Sequence, residues 1–341
     1  MHNSPSPPHG TSILEQASVY AAKKKKEVRE KEEGILKNIE EFSLADQELL
    51  LNVTVNSDLV LKYPLKLEYQ KAFLKLILGK LEKGNLKGSI EIHDDFYSAY
   101  GRIISRNESN SEYFKHYVVD TDVISLKENI NLISEGTTGL KTWQASLALS
   151  EWALKNKNYL KDKTILELGS GIGLTGLVIA LKCIPKKYIF SDCHISVLKN
   201  LCQNIVTNTS ENRDNFRLED NVVLEVELKS SVKLSALNLP WEEVDLSICN
   251  KIGNIDIILA ADVVYDSDLF SSLLNSLQCF AKYCKTKDII FACTERNPET
   301  LNSFLKCIGE HFVVTEEKCP AQQHFIWSPT PQVKFFRFIL K

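Results

Sequence analysis

Residues 164–176 read Thr-Ile-Leu-Glu-Leu-Gly-Ser-Gly-Ile-Gly-Leu-Thr-Gly, a short apolar run followed by closely spaced glycines. The run Thr164–Leu168 predicts a buried strand, and apolar residues at helical spacing predict a helix over Leu174–Leu181. Glycines between the two let the backbone turn tightly and approach a ligand without a clash from Cβ. In an open α/β sheet such a turn lies at the carboxyl ends of the strands, where ligands bind. The stretch therefore predicts an α/β fold with a ligand site at this turn.

After this turn, short β-branched runs alternate with helical stretches, which indicates βαβ units and a mostly parallel sheet. The further strands that we predict are Lys187–Ser191, Val222–Glu227, Asp256–Ala261, Asp288–Cys293, His311–Glu316 and Val333–Leu340. The helices that we predict between them are Val197–Ile205, Leu269–Tyr283 and Leu301–Ile308. Five β/α units followed by an antiparallel β-hairpin make a seven-strand Rossmann-like sheet.

The part of the chain before this sheet has a different character, and we divide the chain into three segments. Residues 1–34 open with a Pro- and Ser-rich stretch and continue with charges of mixed sign, which predicts a disordered tail or a solvated helical face. Residues 35–130 carry apolar residues at helical spacing, such as Phe73, Ile77 and Leu81, and predict a small, mainly helical N-terminal domain. Residues 131–341 hold the sheet and the expected active site.

Composition narrows the class of protein. The chain has 341 residues, 44% of them hydrophobic and 25% charged, with a formal net charge of −3, so nothing favours nucleic acid or an anionic membrane as a partner. Nine cysteines without a C-x-x-C pair read as reduced, small hydrophobic residues, and His194 beside Cys193 lacks a second ligand pair for a metal. The sequence contains no secretory signal and no apolar run long enough to cross a bilayer. We therefore expect a soluble, cytoplasmic, monomeric protein without a metal.

The glycine turn has the pattern G-x-G-x-G, from Gly169 through Ser170 and Gly171 to Gly173. A dinucleotide site would have glycine at the sixth position, where this chain has Leu174. The acidic residue two places before the first glycine, Glu167, is more typical of methyltransferases than of dehydrogenases. The alternative is that the turn only joins a strand to a helix.

Asp192 ends the next predicted strand, about 20 residues beyond the glycines. A carboxylate at this place accepts hydrogen bonds from both ribose hydroxyls of a bound nucleoside. The alternative is a cap for the helix that follows, and the two roles are compatible.

A third motif, Asp262-Val-Val-Tyr265, follows Ala260 and Ala261 at the carboxyl end of the fourth predicted strand. A lysine that accepts a methyl group must first lose its proton and then point its lone pair at the methyl carbon. Asp262 is placed to hold and orient such an amine, and Tyr265 to line a narrow acceptor channel. The alternative is a capping role for Asp262 and a core role for Tyr265.

Two tryptophans are candidates for contact with the cofactor. Trp143 ends the stretch that precedes the helix before the first strand, and Trp241 follows Pro240 between the third and fourth predicted strands. An aromatic face at either place attracts a cation such as a sulfonium. Each residue is equally compatible with a place in the core.

Five segments in order carry a resemblance to a known family: 136–143 (Gly-Thr-Thr-Gly-Leu-Lys-Thr-Trp), 166–171 (Leu-Glu-Leu-Gly-Ser-Gly), 188–194 (Tyr-Ile-Phe-Ser-Asp-Cys-His), 260–265 (Ala-Ala-Asp-Val-Val-Tyr) and 294–300 (Thr-Glu-Arg-Asn-Pro-Glu-Thr). Together they resemble the eukaryotic elongation factor 2 lysine methyltransferase family, within the seven-strand protein methyltransferases that carry a D-x-x-Y motif. The match covers most of residues 131–310 and extends more loosely into the helical region before it.

The resemblance implies S-adenosylmethionine as cofactor and trimethylation of one lysine of elongation factor 2. It implies that the cofactor contacts Trp143, Gly169 to Gly171, Asp192, Trp241 and Ala260, with Asp262 and Tyr265 beside the target amine. The glycine turn adds Glu167 and Gly173 to the expected cofactor-binding residues. A methyltransferase for RNA, for a small molecule or for another protein, and a scaffold without activity, are the alternatives.

Overall fold

The computed structural model describes residues 38–106, 112–131, 136–209 and 221–341, and the expected tail of residues 1–34 lies outside the described residues. The chain divides into two compact units, residues 1–123 and 124–341.

The first unit is built around helices. Their bounds are α1 (Leu44–Val53), α2 (Asp58–Lys62), α3 (Leu67–Leu86) and α4 (Asp94–Ile104), with a 3-10 helix at Asn38–Glu41 and strand β1 at Glu112–Val119. Ser43 and Asp46 form a capping box that fixes the start of α1. Phe73, Ile77 and Leu81 of α3 point into the apolar core of this unit, as their helical spacing predicts.

The second unit is an α/β layer structure. Strand β2 (Asp122–Asn129) begins in the last two residues of the first unit and continues into the second. The helices that follow are α5 (Gln144–Lys155), α6 (Lys157–Leu160), α7 (Leu174–Lys182), α8 (Ile195–Thr209), α9 (Leu246–Ile252), α10 (Phe270–Tyr283) and α11 (Pro298–Gly309). The strands are β3 (Thr164–Leu168), β4 (Lys187–Asp192), β5 (Val222–Glu227), β6 (Lys233–Asn238), β7 (Ile257–Ala261), β8 (Asp288–Thr294), β9 (Phe312–Glu317) and β10 (Val333–Leu340).

Strands β3 to β10 form one sheet in the order β5-β6-β4-β3-β7-β8-β10-β9. The five strands from β6 to β8 in that order are parallel, and β10 pairs antiparallel with both β8 and β9. Strand β3 lies between β4 and β7. The strand order reverses here, because β4 and β6 follow on one side of β3 and β7 and β8 on the other. The predicted α/β class, the Rossmann-like sheet with its terminal hairpin and the helical N-terminal region are confirmed.

Two parts of the fold differ from the sequence prediction. The third parallel strand is β6, whereas Val222–Glu227 pairs antiparallel with it as an added edge strand. Strand β6 reads Lys-Leu-Ser-Ala-Leu-Asn, and its serine and alanine give it little β-propensity, so burial between neighbours decides its conformation. The region predicted as mostly helical also holds β1 and β2, which a search for helical periodicity does not detect.

The centre of the second unit is a large apolar cluster that the sheet shares with the helices on one of its faces. All nine cysteines are free, and five of them are buried. Among the described residues, no helix is both long and apolar enough to span a membrane.

Candidate active site

The predicted site residues lie at the carboxyl ends of the parallel strands. Strand β3 delivers the glycine turn, β4 delivers Asp192, and β7 delivers Asp262. Because these three strands are neighbours in the sheet, residues far apart in sequence meet at the point where the strand order reverses.

The glycine turn holds a conformation that other residues rarely adopt. Gly169, Gly171 and Gly173 have φ angles of +63°, +52° and +93°, in the left-handed region that favours glycine. A Cβ on Gly171 would lie 3.2 Å from the carbonyl oxygen of Gly139. Substitution at Gly171 would therefore strain the backbone and crowd the turn at once.

Ser170 fastens this turn to strand β4. Its backbone N–H donates to the carbonyl oxygen of Ser191 at 2.8 Å, and its hydroxyl oxygen accepts the N–H of Ser191 at 3.0 Å. The Ser191 hydroxyl donates in turn to the carbonyl oxygen of Glu167 at 2.7 Å. Ser170 is therefore a structural part of the turn, and it is buried.

Asp192 and the glycine turn are in direct contact. Its Oδ2 accepts the backbone N–H of Gly171 at 3.2 Å, while Oδ1 accepts the N–H groups of Cys193 and His194 at 2.9 and 3.1 Å. Burial raises the pKa of Asp192 above its ordinary value, although these three donors oppose the shift. A carboxylate has about four acceptor positions, so one remains for a ligand.

Glu167 lies under the turn rather than at its surface. Its side chain is buried, and Oε2 accepts the hydroxyl of Tyr188 at 2.9 Å. Burial raises the pKa of Glu167 to about 7. The carboxyl group supports the end of β3 from below.

The other two expected cofactor-binding residues belong to neighbouring parts of the sheet: Trp241 follows β6, and Ala260 lies in β7. Trp241 opens a short 3-10 helix three residues after Asn238, which is the register partner of Asp192 in the β4–β6 pairing. Trp241 is half-buried and packs on the central apolar cluster, and its carbonyl oxygen accepts the hydroxyl of Ser276 at 2.9 Å. Ala260 is fully buried in β7 beside β3.

Asp262 is the centre of a network of hydrogen bonds at the ends of β7 and β8. Oδ1 accepts the backbone N–H of Thr294 at 2.7 Å, and Oδ2 accepts the Thr294 hydroxyl at 2.8 Å. Oδ2 also lies 3.0 Å from Nη2 of Arg296 and 3.4 Å from the backbone N of Ala145, in the first turn of α5. The carboxylate is only 3% exposed, and its two oxygens are held by four hydrogen-bond donors of the protein.

Trp143 stands next to this network. The Cζ atom of Arg296 lies 4.5 Å from the centroid of the Trp143 ring, and the indole Nε1 donates to the carbonyl oxygen of Thr138 at 3.0 Å. Arg296 follows β8 and belongs to the segment 294–300, one of the five that carry the family resemblance. The structure places its guanidinium between the ring and Asp262.

Tyr265 is 60% exposed, at the rim of the site. Partial burial raises the pKa of its hydroxyl, and the negative charge of Asp192 adds to the shift. The hydroxyl therefore lies within electrostatic reach of Asp192.

An open pocket of about 600 Å³ lies on the side of the site that faces β8. Its walls include Lys141, Trp143, Arg296, Thr330 and Pro331. Thr330 and Pro331 belong to the long connection between β9 and β10, and sequence reasoning missed them because this connection carries no motif.

The described residues contain no group of three or more histidine, cysteine or acidic side chains that could hold a metal ion. The site does fit a nucleoside-bearing ligand. The side-chain oxygen of Asn238 is buried without a hydrogen-bond partner in the described part of the chain, and it lies on the strand next to Asp192. A buried acceptor without a partner, on the strand beside Asp192, matches the N–H and hydroxyl donors of a nucleoside.

Comparison with known proteins gives three findings. A family model described as lysine methyltransferase matches residues 120–311. The protein-lysine N-methyltransferase EEF2KMT of Homo sapiens is 33% identical over 273 residues, which is 78% of each chain, and that of Bos taurus is 32% identical over 307 residues, 86% of this chain and 87% of the relative. Among solved structures, the N-methyltransferase NodS from Bradyrhizobium japonicum with S-adenosyl-L-homocysteine has a TM-score of 0.37 at 12% identity, covering 57% of this chain and 85% of that one.

Proposed function

The chain belongs to the lysine methyltransferase family, and on that premise we propose that it methylates a lysine of elongation factor 2. It is a protein-lysine N-methyltransferase that uses S-adenosylmethionine. When bound, this cofactor supplies a methyl group on a positively charged sulfur. The relatives named EEF2KMT support the choice of substrate, and the same resemblance extends the proposal to trimethylation.

We assign the cofactor to the carboxyl ends of β3 and β4, where it would contact the glycine turn and Asp192. The observation that carries this assignment is the 3.2 Å hydrogen bond from Gly171 N to Asp192 Oδ2, which brings turn and carboxylate together. Gly169, Ser170, Gly171 and Gly173 form the turn, and Glu167 supports it from below. The remaining residues of the proposed cofactor site are Asp192, Trp143, Trp241 and Ala260.

The acceptor lysine enters, in this proposal, from the pocket beside Trp143 and Arg296. Transfer requires a neutral amine and an alignment of about 3–3.5 Å between the reacting atoms. The Asp262 carboxylate is already bonded to Thr294 and Arg296, and its proposed role is to fix the side of the pocket that these two residues form. Tyr265, exposed at the rim, borders the path of the lysine side chain.

The helical N-terminal domain, assigned to residues 35–130, is proposed to recognise the protein substrate. The cofactor and acceptor residues all lie in the second unit, so this domain is free for another task. We further propose that the enzyme acts as a monomer in the cytoplasm, directly on the protein and not on nucleic acid.

The test is transfer of radiolabelled methyl groups from S-adenosylmethionine to purified elongation factor 2, followed by mapping of the labelled residue. A labelled lysine is expected, and it should vanish when that lysine is changed to arginine. Gly171→Arg should abolish cofactor binding in calorimetry, because the side chain fills the turn. Wild-type protein that is folded but gives no heat with the cofactor would refute the enzyme assignment. Binding without transfer to elongation factor 2 would refute the substrate.

The role of the N-terminal domain has its own test. Deleting residues 1–111 removes helices α1 to α4 and keeps β1 and β2. We expect cofactor binding to persist and the KM for elongation factor 2 to rise. Undiminished activity on the protein substrate would refute the recognition role, and loss of cofactor binding would show that the domain supports the catalytic unit instead.

A further inference from the structure

Helix α8 presents a row of three asparagines on one face. Asn200, Asn204 and Asn208 are spaced four residues apart, so they lie one above another. Asparagine is a poor helix former, and a buried amide is costly unless its hydrogen bonds are made. Asn204 is fully buried and Asn200 and Asn208 are partly buried, so their amides need hydrogen-bond partners on whatever packs against the helix.

The partner is the backbone of β2. Asn208 accepts the N–H of Ser125 with Oδ1 and donates to its carbonyl oxygen with Nδ2, both at 2.8 Å. Asn204 Oδ1 accepts the N–H of Lys127 at 2.8 Å, and Asn200 Nδ2 donates to the Lys127 carbonyl oxygen at 3.0 Å. The side-chain amides thus bond to backbone N–H and carbonyl groups of β2 that a neighbouring strand would otherwise pair with.

Asn204 differs from the other two because it also reaches the glycine turn. Its Nδ2 donates to the carbonyl oxygen of Ile172 at 3.0 Å and lies 3.4 Å from that of Lys127. The orientation of the amide is determined, because Oδ1 must face the Lys127 N–H and Nδ2 is then left for Ile172. Asn204 is fully buried, so no water replaces this donor.

Ile172 stands between Gly171 and Gly173, both of which have positive φ angles. Glycines leave this segment free to adopt other backbone conformations unless an external contact restrains it. We propose that Asn204 is a positioning residue of the cofactor site, which holds the Ile172 carbonyl so that the glycine turn keeps its binding conformation. This inference rests on the assignment of the cofactor to that turn.

The experiment compares Asn204→Leu with Asn208→Leu and Asn200→Leu in the full-length chain. All three changes remove an amide that pairs with β2, but only the first removes the contact with the turn. Loss of a bond to a buried carbonyl should raise the Kd for S-adenosylmethionine about tenfold in Asn204→Leu. Calorimetry on samples verified as folded should show little change for the two controls. In Asn204→Leu the KM for the cofactor should rise while the KM for the protein substrate stays constant.

Equal effects of the three variants on cofactor affinity, or none in Asn204→Leu, would overturn the positioning role. If Asn204→Leu does not fold, Asn204→Ser is compared with Asn208→Ser by the same measurement and the same criterion. A wild-type protein that binds no cofactor would refute the proposed function itself, which separates that failure from a failure of this inference.

Discussion

Nη2 of Arg296 lies 3.0 Å from Oδ2 of Asp262, and the same guanidinium covers the ring of Trp143. The ion pair joins the end of β8 to the end of β7. The contact with Trp143 also connects this pair to the start of α5, which Trp143 precedes. Asp262 itself has a φ angle of +56°, which is uncommon for a residue other than glycine. Three separate elements thus meet at one charged pair beside the proposed acceptor pocket.

Changing Arg296 to lysine should impair methyl transfer more than cofactor binding. Lysine keeps the charge but loses the planar fork that contacts Asp262 and stacks on Trp143. Loss of a charge-assisted hydrogen bond of about 1.5–3 kcal/mol predicts a fall in kcat of about 10- to 100-fold if the pocket wall aligns the amine. Kinetics and calorimetry measure the two effects separately.

The matched control for Arg296→Lys is Lys334→Ala. Lys334 forms an ion pair at 2.7 Å with Glu295, the neighbour of Arg296, but lies outside the network around Asp262. This variant should keep wild-type kcat. An Arg296→Lys enzyme with unchanged turnover would show that the pair only supports the fold.

Changing Asp262 to alanine should leave cofactor binding intact and remove most methyl transfer. The carboxylate accepts bonds from Thr294 and Arg296, and both groups would lose their buried partner. Because Thr294 would lose its buried acceptor while Arg296 is 40% exposed to water, we also expect a loss of folding stability of about 1–3 kcal/mol, which urea unfolding measures. Asp262→Asn keeps the shape of the side chain and one acceptor oxygen. Its methyl transfer and its stability should therefore lie between those of the wild type and those of Asp262→Ala. Normal turnover in Asp262→Ala would assign the residue to structure alone.

The glycine turn was predictable because local chemistry specifies it. A strand needs an apolar run, a turn with positive φ angles needs glycine, and both signals lie within residues 164–173. Strand β6 was not predictable, because Ser235 and Ala236 carry no β signal and only burial in the sheet places them.

The partners of the site residues were harder to predict than the residues themselves. Asp262 bonds to Thr294 and Arg296, which are 32 and 34 positions away, and their meeting depends on the parallel pairing of β7 and β8. Asn204 looks like an ordinary polar residue of a helix until Ile172 is placed against it. No spacing rule within a single element encodes such contacts.

The stability of the protein should depend on pH through Glu167. Burial holds the pKa of this carboxyl at about 7 in the folded state, above the ordinary value of 4.5. Between these values the folded chain keeps a proton that the unfolded chain releases, so stability falls as pH rises through the interval. The amide of Glu167→Gln resembles the protonated acid and does not titrate. The variant should therefore gain about 1–3 kcal/mol relative to wild type as pH rises from about 5 to about 8.

Urea unfolding at several pH values, without ligand, tests this expectation. Glu225→Gln is the control, because Glu225 is exposed on the edge strand β5 and should show no such trend. A constant difference between Glu167→Gln and wild type at all pH values would contradict a raised pKa.

The connection that carries Thr330 and Pro331 to the pocket is anchored by a buried acid on α5. Oε2 of Glu151 accepts the backbone N–H groups of His324 and Phe325 at 2.8 and 3.0 Å, and the side chain is fully buried. Burial alone would raise the pKa of Glu151, but these donors outweigh it and hold the pKa below its usual value. The stability that Glu151 contributes is therefore present at neutral pH and is lost as pH falls through the lowered pKa.

Changing Glu151 to glutamine should loosen this connection and so weaken binding of the protein substrate. The amide oxygen can still accept from the two backbone N–H groups, but it carries no negative charge, so both hydrogen bonds weaken at a cost of about 1–3 kcal/mol. We expect a lower Tm and a higher KM for the protein substrate, with the Kd for S-adenosylmethionine unchanged. Lys155→Ala is the control, since Lys155 contacts the same connection through an exposed bond of 3.2 Å to the Ala321 carbonyl oxygen. If both variants keep the KM of the wild type, the connection forms no part of the substrate pocket, because an anchor that does not affect binding cannot be positioning a wall of the site.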